Sequence, residues 1–143
     1  MKTARFPTLF VGLLVVVFLA AIPILANGAP KKAVTLRGEI LDMGCYISRG
    51  LTGPEHKECA TKCLANGVPA GLMTADSTVY YLSQNHDRAM DPTGYGQPDP
   101  FELCKRNPAT IMEVTGFVWE RKGYKELEVK MARVAPKPSP ATP

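Results

Sequence analysis

A small, mainly β domain of the α+β class, built on five strands with two helices added, is what this sequence predicts. Three observations carry that reading. Short segments alternate apolar and polar residues with the two-residue period of half-buried strands. A glycine lies inside the first and the fourth of them, where a strand must bend or admit another backbone. A tight "RKG" connection near the C-terminus marks a hairpin.

Taken in order, Val34, Leu36 and Ile40 alternate with Thr35, Arg37 and Glu39 in the first strand, with Gly38 inside it and Cys45 at its end. Gly53-Pro54 then stops the chain. Proline suits the first turn of a helix, where its missing N–H has no partner anyway. Glu55 and Glu58 favour that helix start through its dipole, and Asn66-Gly67 ends it, so a helix is predicted over 54–65. "PAGLMT" and "STVYYLS" read as two short strands around a turn at Ala75-Asp76-Ser77. "NHDRAMDPTGYGQPDP" is a loop, dense in proline, glycine and aspartate. "PDPFELCKRNP" gives a helix of two turns at most, with Asp99 as its cap and Pro100 in its first position.

"ATIMEVTGFVWE" and "YKELEVKMARV" form the closing hairpin. Leu127, Val129 and Met131 are expected to face inward against Met112, Val114 and Val118, with a bend at Gly116. Strand, helix, strand, strand, short helix, strand, strand is the order of an OB-fold, a five-stranded Greek-key barrel, with one helix added after the first strand.

The ends of the chain carry other information. Lys2 and Arg5 precede an apolar run from Phe6 to Ala26, which is the pattern of a secretory signal with cleavage after Ala26. Uncleaved, the same segment is long enough to anchor the chain to a membrane facing outside, at about 20 residues. Residues 1–26 are therefore assigned to the signal, 33–134 to a single OB-like domain, and 135–143 to a proline-rich tail that cannot pack. The expected location is periplasmic or secreted, with membrane contact only through the N-terminal segment.

The whole chain has seventeen basic and thirteen acidic residues, a net charge of +4. Loss of Lys2 and Arg5 leaves fifteen against thirteen. No phosphate-binding stripe remains, and nucleic acid is disfavoured as a partner. The mature chain of about 115 residues makes one domain with a small core, which a covalent or metal staple would help.

The chemistry concentrates in "GPEHKECATKCLANGVP". On a helix, positions i, i+3 and i+7 share a face, which aligns His56, Cys59 and Cys63. Cys45 precedes the loop into that helix and could close over the same face. Two readings follow. Exported cysteines usually pair, and Cys45, Cys59, Cys63 and Cys104 are even in number. Cys59 and Cys63, neighbours on one helix, do not readily bond each other. One of them would bridge to Cys45 and the other to Cys104, and His56 would be a solvated helix residue. Alternatively, three sulfurs and an imidazole, from Cys45, His56, Cys59 and Cys63, make a tetrahedral set for Zn or a soft site for Cu(I).

A third reading, thiol-based redox exchange, is weakened by the spacing. Three residues separate Cys59 from Cys63, not the two of a thioredoxin-like pair, and no histidine follows Cys63 as covalent haem attachment needs.

Asp42 is expected to cap the turn before Cys45, or else to support a metal-bound histidine from behind. His86, in "NHD", is a reserve metal ligand and has no nucleophile to serve as a base. Trp119 and Phe117 lie on the side of their strand opposite Met112, Val114 and Val118. Trp119 is thus the ligand-face candidate, and of Tyr80 and Tyr81 one should face the core.

"LRGEILDMGCYISRG", "HKECATKCLANGVPAGLMT", "VYYLS" and "EVTGFVWERKGYKELEV" together resemble a group of small exported bacterial proteins. These share a D-x-x-C-Y…H-x-x-C-A-x-x-C…G-x-P-x-G-L core and an OB-like end. The resemblance covers about 40–83 and 110–130. It implies export, the fold, and the importance of Cys45, His56, Cys59 and Cys63, and it implies no reaction. The leading expectation is a non-enzymatic, exported, disulfide-stapled binding domain with an unknown protein or small ligand as partner and no cofactor. A Cu- or Zn-binding protein is the first alternative and a thiol-redox protein the second.

Overall fold

The computed structural model describes residues 32–90 and 98–137. The predicted signal, part of the proline-rich loop and the end of the tail lie outside the described residues. Five strands close into a barrel in the order β1-β2-β3-β5-β4. They are β1 (Val34–Asp42), β2 (Ala70–Thr74), β3 (Val79–Gln84), β4 (Ile111–Arg121) and β5 (Tyr124–Val134). All pairings are antiparallel except β3 with β5. This is the OB-like arrangement expected from the element order.

β1 serves two neighbours. Its first part pairs with β4 from Val34 to Glu39 and its last part with β2 from Gly38 to Asp42. The switch falls at Gly38, where a Cβ would meet the Met73 carbonyl oxygen at 2.3 Å. Gly116 does the same for β4: a Cβ there would lie 2.0 Å from the carbonyl oxygen of Glu128. Only glycine lets the two backbones approach so closely.

The register between β4 and β5 also shifts between Thr115 and Gly116, pairing them with Met131 and Val129 respectively. One residue of β5 is skipped, and the alternation of inward and outward side chains breaks there. Leu127 and Val129 are buried as expected, but Met131 is turned out and is 66 % exposed. The expectation that Met131 faces inward is therefore corrected.

The barrel interior is apolar. Ile40, Leu72, Met112, Val114, Leu127 and Val129 are its buried centre. Of the two tyrosines, Tyr80 packs against this core, while Tyr81 stacks on Tyr124 with ring centroids 4.7 Å apart. The β4–β5 connection is a tight turn with Lys122 and Gly123 at positive φ (51° and 81°).

Among the described residues, four α-helical segments decorate the barrel: α1 (Met43–Arg49), α2 (Lys57–Ala65), α3 (His86–Met90) and α4 (Pro100–Lys105). A 3₁₀ turn, Pro54–His56, leads into α2, so the helix predicted over 54–65 is present. α4 is capped as predicted, the Phe101 amide donating to Asp99 Oδ1 at 2.9 Å. Two helices were not foreseen. α3 begins inside the segment read as loop. α1 replaces what was read as the end of the first strand, which puts Cys45 on a helix rather than on β1. No helix among the described residues is long and apolar enough to cross a membrane.

Candidate metal centre

The residues that gather come from β1, α1, the 3₁₀ turn and α2. Asp42, the last residue of β1, is the N-cap of α1. Its Oδ1 accepts from the amides of Gly44 (2.9 Å) and Cys45 (3.3 Å), two donors with no helical partner of their own. Gly50 ends α1 in the left-handed conformation, its amide donating to the Tyr46 carbonyl at 2.8 Å. About two helical turns lie between these caps, and Cys45 in the first of them comes beside Cys59 and Cys63 of α2.

On α2, Ala60 and Leu64 are buried, and the four-residue step extends back to His56, also buried. These three form the stripe that packs inward. Cys59 and Cys63, each one residue before a member of that stripe, lie on its shoulder. The result is one sulfur site: the Sγ atoms of Cys45, Cys59 and Cys63 all lie within 4.8 Å of one another. A second set, sharing Cys45, holds the ligand atoms of Asp42, Cys45 and His56 within the same limit. Exposure is graded across the site, with Cys59 exposed, Cys45 and Cys63 half-buried, and Asp42 and His56 buried.

Asp42 uses its two oxygens for different tasks. While Oδ1 caps α1, Oδ2 faces His56 Nε2 at 3.5 Å. Among the described residues these two facing atoms are buried without a hydrogen-bond partner. Burial alone would raise the Asp42 carboxyl. Hydrogen bonding from the Cys45 thiol and amide, the Cys63 thiol and the Gly44 amide outweighs that and holds its pKa below the ordinary value. The effect on the thiols is the reverse. Hydrogen bonding to the Asp42 carboxylate, then burial and the charge of Asp42, raises Cys45, and the same partners push Cys63 up to about 12. Without an ion, these two thiols stay protonated at neutral pH.

The other candidate residues lie elsewhere. Cys104, on α4, is fully buried in the barrel core among apolar side chains and is not part of the sulfur site. All four cysteines are free thiols. Of the two bridges expected, the one to Cys45 would join sulfurs that gather here, whereas Cys104 lies outside that group. His56 is not a solvated helix residue, as the stapled reading required; it is 9 % exposed. His86 opens α3, where its amide donates to Glu128 Oε1 at 2.9 Å, and it belongs to neither ligand set. Trp119 is on the outer face as expected, 45 % exposed, its indole Nε1 donating to Glu128 Oε2 at 2.9 Å.

Sequence reasoning found Cys45, His56, Cys59 and Cys63 but left the double use of Asp42 as a choice between two roles. It missed the burial of His56, which the Ala60–Leu64 stripe could have signalled. Comparisons of the chain with protein-family models, curated proteins and solved structures return no match.

Proposed function

We propose that this is an exported metal-binding domain. Its ion is held by the thiolates of Cys45, Cys59 and Cys63 and by His56, and Asp42 orients the histidine. The observation that carries the reading is the meeting of three sulfurs within 4.8 Å with a buried Asp42–His56 pair whose facing atoms have no other partner. Buried polar atoms left unpaired cost about 1–3 kcal/mol each, a cost removed if His56 Nε2 donates to Asp42 Oδ2 as the ion draws the ring into place. A carboxylate accepting from one ring nitrogen fixes the histidine tautomer and leaves the other nitrogen free to bind metal. Three sulfurs with one nitrogen fit Zn(II) in tetrahedral coordination, or Cu(I) as a soft ion. The N-terminal run with Lys2 and Arg5 supports export.

A disulfide reading is favoured by the same distance, since Cys45 is near both Cys59 and Cys63. Only one bridge could form there, because the three sulfurs share a single site.

The test combines metal analysis with intact mass. Protein purified from the exporting compartment without added reductant should carry one Zn or Cu per chain, and chelation should free three alkylatable thiols. His56→Ala should lower metal affinity by at least about 10–100-fold. Metal-free protein that is two protons lighter until reduced would instead establish the bridge.

A further inference from the structure

We infer that this centre is a carrier site rather than a structural staple, and that its ion passes to a thiol-bearing acceptor through Cys59. The inference rests on the reading that the cluster binds metal. Two independent features carry it: the segments around the site are tied down by the protein's own hydrogen bonds, and its ligands are unequally exposed, Cys59 the most.

The frame comes first. None of the four proposed ligands belongs to the apolar cluster that fills the barrel, and the barrel closes through five strand pairings. The segments that carry the ligands are tied down by protein groups alone. Asp42 caps α1. The Met43 amide donates to the Pro69 carbonyl at 3.0 Å, and the Val68 amide to the Cys63 carbonyl at 3.1 Å. The Gly53 amide donates to Glu39 Oε1 at 2.6 Å, fixing the entry to the 3₁₀ turn. Small zinc domains that are folded by their metal have no such frame, and they lose their structure with the ion. Here the protein's own hydrogen bonds hold the segments that carry the ligands, so loading and unloading should leave the fold intact.

The open side comes second. His56 and Asp42 are buried and Cys45 and Cys63 half-buried, whereas Cys59 is exposed on the outer shoulder of α2. A closed structural site shields all its ligands; an ion here would be reached from the Cys59 side.

The step itself is ligand exchange. An incoming thiol binds the ion through its sulfur, the bond from the ion to Cys59 breaks, and the proton of the incoming thiol goes to the Cys59 sulfur. The number of thiolates on the ion is unchanged and no electron moves. A chelating acceptor repeats the exchange at the inner cysteines and leaves with the ion.

The experiment uses the full-length protein, reduced and loaded with Zn(II), with dimercaptosuccinate as the acceptor. Metal-free protein should keep the circular dichroism spectrum of the loaded form and melt cooperatively. Zinc transfer should accelerate in proportion to dithiol concentration. Brief N-ethylmaleimide treatment of the loaded protein, mapped by peptide mass, should label Cys59 about ten-fold faster than Cys45 or Cys63, as its exposure requires. Unfolding on zinc removal, transfer at a rate independent of the dithiol, or equal labelling of the three cysteines would each overturn the carrier role while leaving metal binding intact. Failure of the wild-type protein to bind zinc or copper at all would overturn the metal reading itself.

Discussion

Cys104 and Cys59 are the same side chain in opposite surroundings. Cys104 faces the barrel core from α4, fully buried among Ile40, Leu82 and Val129 and their neighbours. Cys59 sits in the open on α2, beside two other sulfurs and a buried carboxylate–imidazole pair. The first region is apolar, and its stability comes from removing hydrocarbon from water. The second gathers polar groups at the end of one strand, and two of its buried atoms lack partners. The core and the site are built from different side chains, although Leu64, next to Cys63, belongs to the core; the carrier reading requires that the barrel stand without the ion.

That separation breaks first where the core is emptied. Leu127→Ala should lower the unfolding free energy by about 2–5 kcal/mol through lost burial and a residual cavity. Urea denaturation measures the loss. Below its lowered melting temperature the variant should still bind one metal ion with wild-type affinity. Lost affinity at full folding would mean that the two regions are coupled.

Gly116→Ala probes the same platform from its backbone. Its Cβ would fall 2.0 Å from the Glu128 carbonyl oxygen, so β4 and β5 must separate. The expected cost is about 1–3 kcal/mol, read as a shift of the urea midpoint, again with metal affinity unchanged.

Asp42 joins the regions at the end of β1, and its two oxygens allow them to be told apart. Asp42→Ala removes the cap of α1, costing about 0.5–2 kcal/mol, and also removes the partner of His56, lowering metal affinity about 10–100-fold. Asp42→Asn keeps a capping oxygen and loses the carboxylate charge. It should recover most of the stability and little of the affinity. Parallel recovery of both would show that the carboxylate acts only as a cap.

How far the sequence displayed each region follows from the same contrast. The barrel was legible because strand alternation and element order are local signals that its core confirms, as Leu127 and Val129 do. Met131 was misread because the register shift at Thr115/Gly116 depends on how β4 pairs, not on the sequence of β5; Gly116 was its only visible mark. In the site, α1 was hidden although both its caps, Asp42 and Gly50, were in view. Gly44 in its first turn and the β-branched Ile47 weaken the helical signal between them. The burial of Cys104 was not legible, because counting cysteines says nothing of burial. α4 is short, and nothing in "FELCK" alone says that Cys104 rather than Leu103 points to the centre of the barrel.

Alkaline pH distinguishes the two cysteine environments by a smaller effect. Burial first, then the charge of Asp99, pushes the Cys104 thiol from 9.0 up to about 12. Its folded pKa lies above the unfolded one. The associated stability is fully present below pH 9 and declines as pH rises toward about 12. The slope contributed by this group is about 1.4 kcal/mol per pH unit in that window. Comparing the pH dependence of urea unfolding in the wild type and in Cys104→Ala between about pH 8.5 and 10 isolates it, because the other alkaline groups are common to both (the range runs from about half a unit below the ordinary thiol value to about one unit above it). The variant should be less stable at pH 8.5 and lose less on going to pH 10. Equal slopes would mean that the thiol reaches solvent in the folded state.

The smallest effect belongs to Trp119, on the outer wall of the barrel and outside both regions. Its indole is tied to Glu128, whose other oxygen accepts from Asn85 Nδ2 at 2.8 Å and from the His86 amide. Trp119→Phe removes one partly exposed hydrogen bond to a charged group and keeps an aromatic ring. The expected loss is on the order of 1 kcal/mol, since the other contacts hold Glu128 and water replaces the lost donor. Metal affinity should not move. The chain has a single tryptophan, so its fluorescence in the wild type reports on this wall alone. Metal loading should leave the emission maximum unchanged if the platform is as indifferent to the cluster as the separation of the two regions requires. A clear shift on loading would show that occupancy of the site is felt across the barrel, and the division drawn between Cys104 and Cys59 would have to be abandoned.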